Sequence, residues 1–453
     1  MSPHRPPNRY PVRVPLHHKP MGVIASAMTA RRNVLELIPD LATRQPMVSG
    51  KTGKRWHMVM DPEALRRVLK DRVEDYPKSF VTRLILEPAI GNSMFVAEGA
   101  HWRWQRLAAA PAFAQRHVEA LGPVMTAAAE ASAQRLAAAD GPVDVFAETV
   151  AATFEVISDV TFSGDEGFDR DAVHQAIDAY IAGTARISVL DILGLPGWIP
   201  RPGRLFSGGD LRRMKRVADE AIQARARSGP RAVPDLLDLL RAGEDPETHR
   251  RMTPAELRDN LLTFIVAGHE TTALTLAWAL YLLAFDPQVQ HRAAIEAGTV
   301  LGGRAATAAD LPRLTYIRQV VEEALRLYPP AAFLSRTARI HDTLGGREVR
   351  PGDTIMLPIY ALHRHRMLWD DPDRFDPERF APGVTRDRFA FLPFGAGPRI
   401  CIGASFALQE AVIILATLVA RLRFELTARQ PQPRMILTLR PHGGVWLTVS
   451  ERS

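Results

Sequence analysis

The chain has 453 residues, 46% of them hydrophobic and 24% charged, which suits a globular protein with a large core and excludes a disordered or collagen-like chain. Its net charge is +7, and residues 1–55 alone carry ten Lys/Arg against Glu36 and Asp40. The single cysteine excludes an intramolecular disulfide and suits a reducing compartment, so a cytoplasmic protein is expected.

The first twenty residues contain no apolar run of signal-peptide or membrane-anchor type, and neither is expected. No basic pattern interleaved with aromatics points to nucleic acid. Length alone would allow two or three domains. Residues 1–50 read as a basic, Pro-containing arm, solvated and partly mobile, ahead of the main body at 51–453.

In chain order, Trp56 to Met60 reads as a short strand. Asp61-Pro62-Glu63 then caps an amphipathic helix running to Lys70. Trp102 and Arg106 stand at i and i+4 on a helix that ends near Pro111, so they share a face. Helices are expected over 123–139 and 209–227. Between them, Leu193–Asp210 is a Pro/Gly-rich loop of the kind that often serves function. Thr253-Pro254-Ala255-Glu256 is a capping box with Pro at the first helical position. It opens an apolar helix that meets no strong breaker before Asp286-Pro287 and is long enough to cross a domain. Strands are expected around 346–358 and 434–449.

The centre of the long helix reads Ala267-Gly268-His269-Glu270-Thr271-Thr272. Small residues leave room beside the helix for a flat ligand, and an acid next to a hydroxyl can pass protons. A mid-helix Thr can also bond back to a carbonyl and locally open the helix. The HExxH zinc motif begins at His269-Glu270 but lacks its second histidine, because position 273 is Ala. Glu323 and Arg326 lie at i and i+3 on one helix face, and Arg379 follows in Phe375-Asp-Pro-Glu-Arg-Phe380.

Residues 394–403 read Phe-Gly-Ala-Gly-Pro-Arg-Ile-Cys-Ile-Gly. Gly395, Gly397 and Pro398 impose a tight turn. A strong helix follows, so the Cys401 thiol is expected at its N-terminus, where the dipole and free N–H groups favour a thiolate. A thiolate beside glycines suits a haem iron.

The ten-residue string resembles the haem-binding signature of the cytochrome P450 family, and the other motifs follow in family order from about residue 55 to 450. The resemblance implies a mainly α-helical, triangular single domain with small β-sheets. Haem b would lie between the long helix and the cysteine loop, with Cys401 as the iron ligand and Phe394 and Gly403 beside it. Trp102, Arg106, Arg336 and Arg399 would hold the haem carboxylates. Thr271 would serve oxygen activation and Glu270 proton relay. Glu323, Arg326 and Arg379 would form a buried structural network. Ala267, Gly268, Ala331, Ala332, Phe333, Leu334, Ile436 and Leu437 would line an apolar substrate pocket.

The function implied is monooxygenation of an apolar fatty acid, terpenoid or steroid. No flavin or iron–sulfur sequence is attached, so electrons would come from a separate ferredoxin or flavodoxin and its NAD(P)H reductase, docked near Arg103, Arg116 and Arg399. A monomer is expected. A peroxide-driven or isomerase/dehydratase variant, and a non-catalytic haem or gas sensor, are the alternatives. The Glu270-Thr271 pair disfavours the first, and the lack of an attached sensor or DNA-binding module disfavours the second.

Overall fold

The structure is a computed structural model that describes residues 10–19, 21–162, 208–435 and 437–452. The loop expected at 193–210 falls mostly outside these residues, and so does Ile436.

The long helix is Pro254–Phe285. Its capping box forms as the sequence predicts: the Glu256 amide donates to Thr253 Oγ1 at 3.3 Å, and the Thr253 amide donates to Glu256 Oε2 at 2.9 Å. Its 32 residues span about 48 Å at the α-helical rise. From Thr272 to Phe285 every residue is buried. The helix is therefore apolar around its whole circumference, as a core helix must be. It stays α-helical throughout, so the local opening expected at the threonines does not occur.

Among the helices packed on it are Val145–Phe162, Gly208–Ser228, the helix Thr315–Leu327 that carries Glu323 and Arg326, and the cysteine helix Ala404–Arg421. At the first contact Gly268 meets Ile157, whose Cδ1 would lie 3.2 Å from a Cβ placed there. Small size at 268 thus serves helix–helix packing as well as the cavity. Ala404–Arg421 is apolar and long enough to cross a membrane, but it is mostly buried within the fold.

Among the described residues the strands are β1 (Met47–Thr52), β2 (Lys54–Val59), β3 (Pro142–Asp144), β4 (Leu334–Thr337), β5 (Asp342–Leu344), β6 (Arg347–Val349), β7 (Thr354–Leu357), β8 (Leu422–Leu426), β9 (Gln432–Met435), β10 (Leu439–His442) and β11 (Trp446–Glu451). They form small sheets in the orders β1-β2-β7-β4, β3-β11-β8, β10-β9 and β5-β6. Most pairs are antiparallel hairpins or edges, while β2 and β7 run parallel. The first sheet delivers Leu334 and Arg336 on β4 to the cavity wall.

The N-terminal segment is not a solvated arm over its described part. The Val12 amide donates to Tyr281 Oη at 3.0 Å, Tyr328 Oη donates to the Val12 carbonyl at 2.5 Å, and the Val14 amide donates to Tyr360 Oη at 2.9 Å. Val14, Leu35, Ile38 and Ala42 are buried in the common core, and β1 runs across residue 50. The physical reason is the apolar residues interspersed among the cations. The described cations stay at or near the surface, several in ion pairs such as Arg44–Asp40 at 2.8 Å.

Candidate active site

The cysteine loop is shaped by two glycines with left-handed backbone, Gly395 (φ 71°) and Gly397 (φ 70°). At Gly397 a side chain is also excluded, since a Cβ would lie 2.0 Å from the Leu69 carbonyl oxygen. The loop closes when the Gly395 amide donates to the Leu392 carbonyl at 3.1 Å and the Cys401 amide to the Phe394 carbonyl at 2.9 Å. Cys401 faces a cavity of about 1310 Å³. Burial pushes its thiol above the ordinary range, while the Gly403 amide and the Arg106 charge pull it back. Helix-end polarity alone therefore does not make the thiolate in this chain. Burial opposes it, and a cation held at the sulfur would favour the thiolate.

The cavity is bounded opposite the loop by the long helix. Ala267, Gly268, Glu270, Thr271 and Thr272 all line it. Thr271 Oγ1 donates to the Ala267 carbonyl at 2.8 Å. Glu270 is 3% exposed and does not bond to Thr271. Its Oε1 accepts from Thr438 Oγ1 at 2.8 Å and from Arg440 Nε in an ion pair. Arg440 and Thr438 were not anticipated: they lie 170 and 168 residues away in sequence, and nothing local marks them. His269 is a core residue whose Nδ1 meets the Ile265 carbonyl at 2.8 Å.

Ala331, Phe333, Leu334 and Leu437 line the cavity as expected. Ala332 does not. It is fully buried behind the wall, where its carbonyl accepts the Tyr360 amide at 3.0 Å. Alternation along an extended segment turns it to the other face.

Trp102, Arg106, Arg336 and Arg399 also line the cavity, joined by Lys78, which the sequence reading missed. Arg399 stacks on Trp102 at 4.4 Å, donates to the Ala97 carbonyl at 3.1 Å and pairs with Glu98. Its side chain is only 5% exposed, so it is withdrawn from the docking surface expected of it. Burial brings Lys78 down to about 7, with help from the charges of Arg399 and Arg336 and opposition from Glu98. Burial and the Arg399 charge bring Arg336 down to about 10, and its Nε has no hydrogen-bond partner. Three cations, Lys78, Arg336 and Arg399, thus share the Glu98 carboxylate, and Arg106 stands by the Cys401 sulfur. Buried cations in excess call for anions.

This arrangement fits a haem. Two propionates would satisfy the surplus charge and the orphaned Arg336 Nε. Gly403 leaves an open approach, since a Cβ there would meet only Phe113 at 4.0 Å, and Cys401 would offer its sulfur to the iron.

Glu323 and Arg326, both fully buried, form a two-point pair with Arg326 Nε to Glu323 Oε2 at 2.6 Å and Nη2 to Oε1 at 2.7 Å. Arg326 spends its remaining donors on the carbonyls of His363, Pro372 and Arg374 at 2.7–3.0 Å. Arg379 lies near the pair, 3.6 Å from Glu323 Oε1, and donates to the Asp371 carbonyl at 3.0 Å.

A cavity-facing thiol and a helical acid–hydroxyl pair across one cavity, with cations for a dicarboxylate, define a thiolate haem site. The family profile described as Cytochrome P450 matches residues 22–448. The chain is 33% identical over 409 residues to cyclooctat-9-en-7-ol 5-monooxygenase of Streptomyces melanosporofaciens, covering 88% of this chain and 87% of that one. It is 31% identical to the chloroplastic carotene epsilon-monooxygenase of Arabidopsis thaliana, covering 87% and 77%. A crystal structure of the cytochrome P450DA heme domain superposes with a TM-score of 0.79 at 27% identity over 90% of each chain. The chain belongs to the cytochrome P450 family. It is a haem-binding monooxygenase with the P450 fold.

Proposed function

We propose that this enzyme inserts one atom of dioxygen into a C–H or C=C bond of an apolar terpenoid, with Cys401 as iron ligand. The observation that carries the reading is the facing of Cys401 and the Glu270-Thr271 pair across one cavity. When bound, the haem supplies the redox chemistry that cleaves dioxygen. The chain's own residues do the rest. Trp102, Lys78, Arg106, Arg336 and Arg399 hold the carboxylates; Thr271 presents a hydroxyl to the cavity; Glu270 carries protons toward it. Ala267, Ala331, Phe333, Leu334 and Leu437 exclude water and orient an apolar substrate.

The terpenoid class is supported by relatives named for carotene and cyclooctat-9-en-7-ol and by the mainly apolar wall. Fatty acids and steroids are the competing classes. Electrons come from a separate ferredoxin or flavodoxin and its NAD(P)H reductase, in the cytoplasm, to a monomer. Arg103 and Arg116, both exposed, suit an acidic docking partner, and that binding weakens as salt rises.

A panel of terpenoids, fatty acids and steroids watched at the Soret band tests the substrate class, and a spin-state response to fatty acids alone refutes it. Cys401→Ser tests the ligand. The reduced carbon monoxide complex loses the long-wavelength band of thiolate ligation, and retention of that band overturns the assignment. Thr271→Ala diverts electrons to peroxide, and unchanged coupling of NADPH to product removes Thr271 from oxygen activation.

A further inference from the structure

The cavity that Cys401 faces reaches the surface beside the hairpin of β1 and β2, where Lys19, Arg44, Lys51 and Lys54 line it and are exposed. The Asp40 amide donates to the His17 carbonyl at 2.9 Å, and the turn Asp40–Thr43 packs on β1, so the four cations stand on one rim. Asp40 is the only acid on it among the described residues, and it is already paired with Arg44 at 2.8 Å. Lys19, Lys51 and Lys54 make no ion pair among the described residues. From this rim β2 leads inward. Along one face of the strand every second residue lines the cavity: Lys54 is exposed, Trp56 half-buried and Met58 buried. At about 3.3 Å per residue, Lys54 and Met58 lie about 13 Å apart along the strand. The neighbouring strands widen this floor, with Val48 and Gly50 of β1 opposite Met58 and Trp56, and Met356 and Thr354 of β7 opposite them on the other side. A Cβ at Gly50 would overlap the Trp56 ring, so the indole lies across β1 as an apolar step between the lysines and the interior.

We propose that the substrate is an isoprenoid ending in a phosphate or diphosphate, its head group held at the rim by Lys19, Lys51 and Lys54 and its chain laid over Trp56 and Met58 toward Cys401. This rests on the terpenoid reading and adds the head group to it. Charge selects phosphate over carboxylate. With Arg44 spent on Asp40, three ammonium groups remain, and a phosphate monoester brings a charge of about −1.5 to −2 with three acceptor oxygens where a carboxylate brings one charge. Lysine meets phosphate as a mobile point charge, which suits a head group that is taken from water and returned to it. An anionic bilayer offers the same charge, but these lysines line the cavity and run on into its apolar floor, which favours a ligand that threads inward. A chain anchored by its head presents its far isoprene units at Cys401, so oxygen enters at the end remote from the phosphate.

The test titrates the haem-loaded enzyme at the Soret band with farnesol, farnesoic acid, farnesyl phosphate, farnesyl diphosphate and dodecyl phosphate. It compares wild type with the double variants Lys51→Gln/Lys54→Gln and Lys51→Arg/Lys54→Arg, and the carbon monoxide band reports that each is folded. Wild type should bind farnesyl phosphate at least about tenfold more tightly than farnesol, the value of a hydrogen bond between charged groups. That preference should shrink as salt rises from about 0.05 to 0.5 M, because exposed charges are screened. The double Gln variant should lose most of the preference, and the double Arg variant should keep it. Wild type that binds farnesol or farnesoic acid as tightly as farnesyl phosphate overturns the proposal, as does a double Gln variant with the wild-type preference or the lack of any response to the phosphates. Lysine-dependent sedimentation with phosphatidylglycerol vesicles, without a preference for phosphate, gives the rim to a membrane instead. Dodecyl phosphate shifting the band where no farnesyl compound does refutes the terpenoid chain and keeps the head group, so the two failures are told apart.

Discussion

Leu392 donates its backbone N–H to Nε2 of His363 at 2.9 Å, so the proton of that ring sits on Nδ1, which meets the Arg326 carbonyl at 3.2 Å. The neutral imidazole joins the Glu323–Arg326 pair to the residue whose carbonyl accepts the Gly395 amide at the start of the cysteine loop. The network thus acts on Cys401 through backbone, two steps removed, as a support and not as chemistry.

Burial, reinforced by the charge of Arg326, drives His363 from 6.5 down to about 3. Between those values the unfolded chain binds a proton that the folded chain refuses, so stability is complete above about pH 6.5 and falls as pH drops toward 3. The loss is on the order of 5 kcal/mol over the window. His363→Gln should be less stable at neutral pH and should show a shallower acid slope. Urea unfolding from about pH 4 to 8 checks both. Equal slopes in the two proteins would remove His363 from the acid response.

Glu410, on the cysteine helix, is 1% exposed, and neither carboxyl oxygen has a hydrogen-bond partner. Burial raises it to about 8 against the pull of the nearby Thr272 hydroxyl, which donates instead to the Gly268 carbonyl at 3.3 Å. A folded value above the unfolded one means stability is full below about pH 4.5 and is lost as pH rises to 8. Glu410→Gln should therefore raise the melting temperature, by more at pH 8 than at pH 5. A variant less stable at pH 8 would show that the carboxyl has a partner the side-chain geometry hides.

Lys78 has no sequence signature. Pro77-Lys78-Ser79 reads as a turn before a helix, and only the fold sets its ammonium beside Arg399 and Arg336. If it pairs with a haem carboxylate, Lys78→Met should speed transfer of haem to an acceptor apoprotein by roughly tenfold or more, the value of a hydrogen bond to a charged group. Reduced–carbon monoxide spectra should be unchanged, because the sulfur is not touched. An unaltered transfer rate would assign Lys78 to the Phe95 carbonyl that it also contacts.

What the sequence made legible follows from range. The capping box at Thr253, the glycine turn before Cys401 and the Glu323–Arg326 spacing are set by residues within a few positions of each other, and each folds as read. Arg440 and His363 act across 170 and 29 residues onto Glu270 and Leu392, and Lys78 meets an Arg399–Glu98 pair whose members are 301 residues apart, so no local pattern announces them. Ala332 and Arg399 were misplaced for a related reason: a short extended segment and a loop do not say which way a side chain turns. The N-terminal segment was misjudged by its charge, since a few apolar residues between cations suffice to dock it on tyrosine hydroxyls.

Gly397 and Gly268 separate the two ways a glycine can matter at this site. At Gly397 a side chain meets a left-handed backbone, φ 70°, and the carbonyl oxygen of Leu69 at 2.0 Å. Backbone strain alone costs about 1 kcal/mol, and the overlap adds more, because a backbone oxygen cannot rotate away. The loop or the turn at Leu69 must move, and either shift displaces Cys401. At Gly268 the obstacle is the tip of Ile157 at 3.2 Å, which can change rotamer, and Ala gains about 1 kcal/mol over Gly inside a helix. Gly397→Ala should purify with little haem and a diminished thiolate band. Gly268→Ala should keep both and melt within a few degrees of wild type. If Gly397→Ala retains full haem and band, the close approach to Leu69 is not what shapes the cysteine loop.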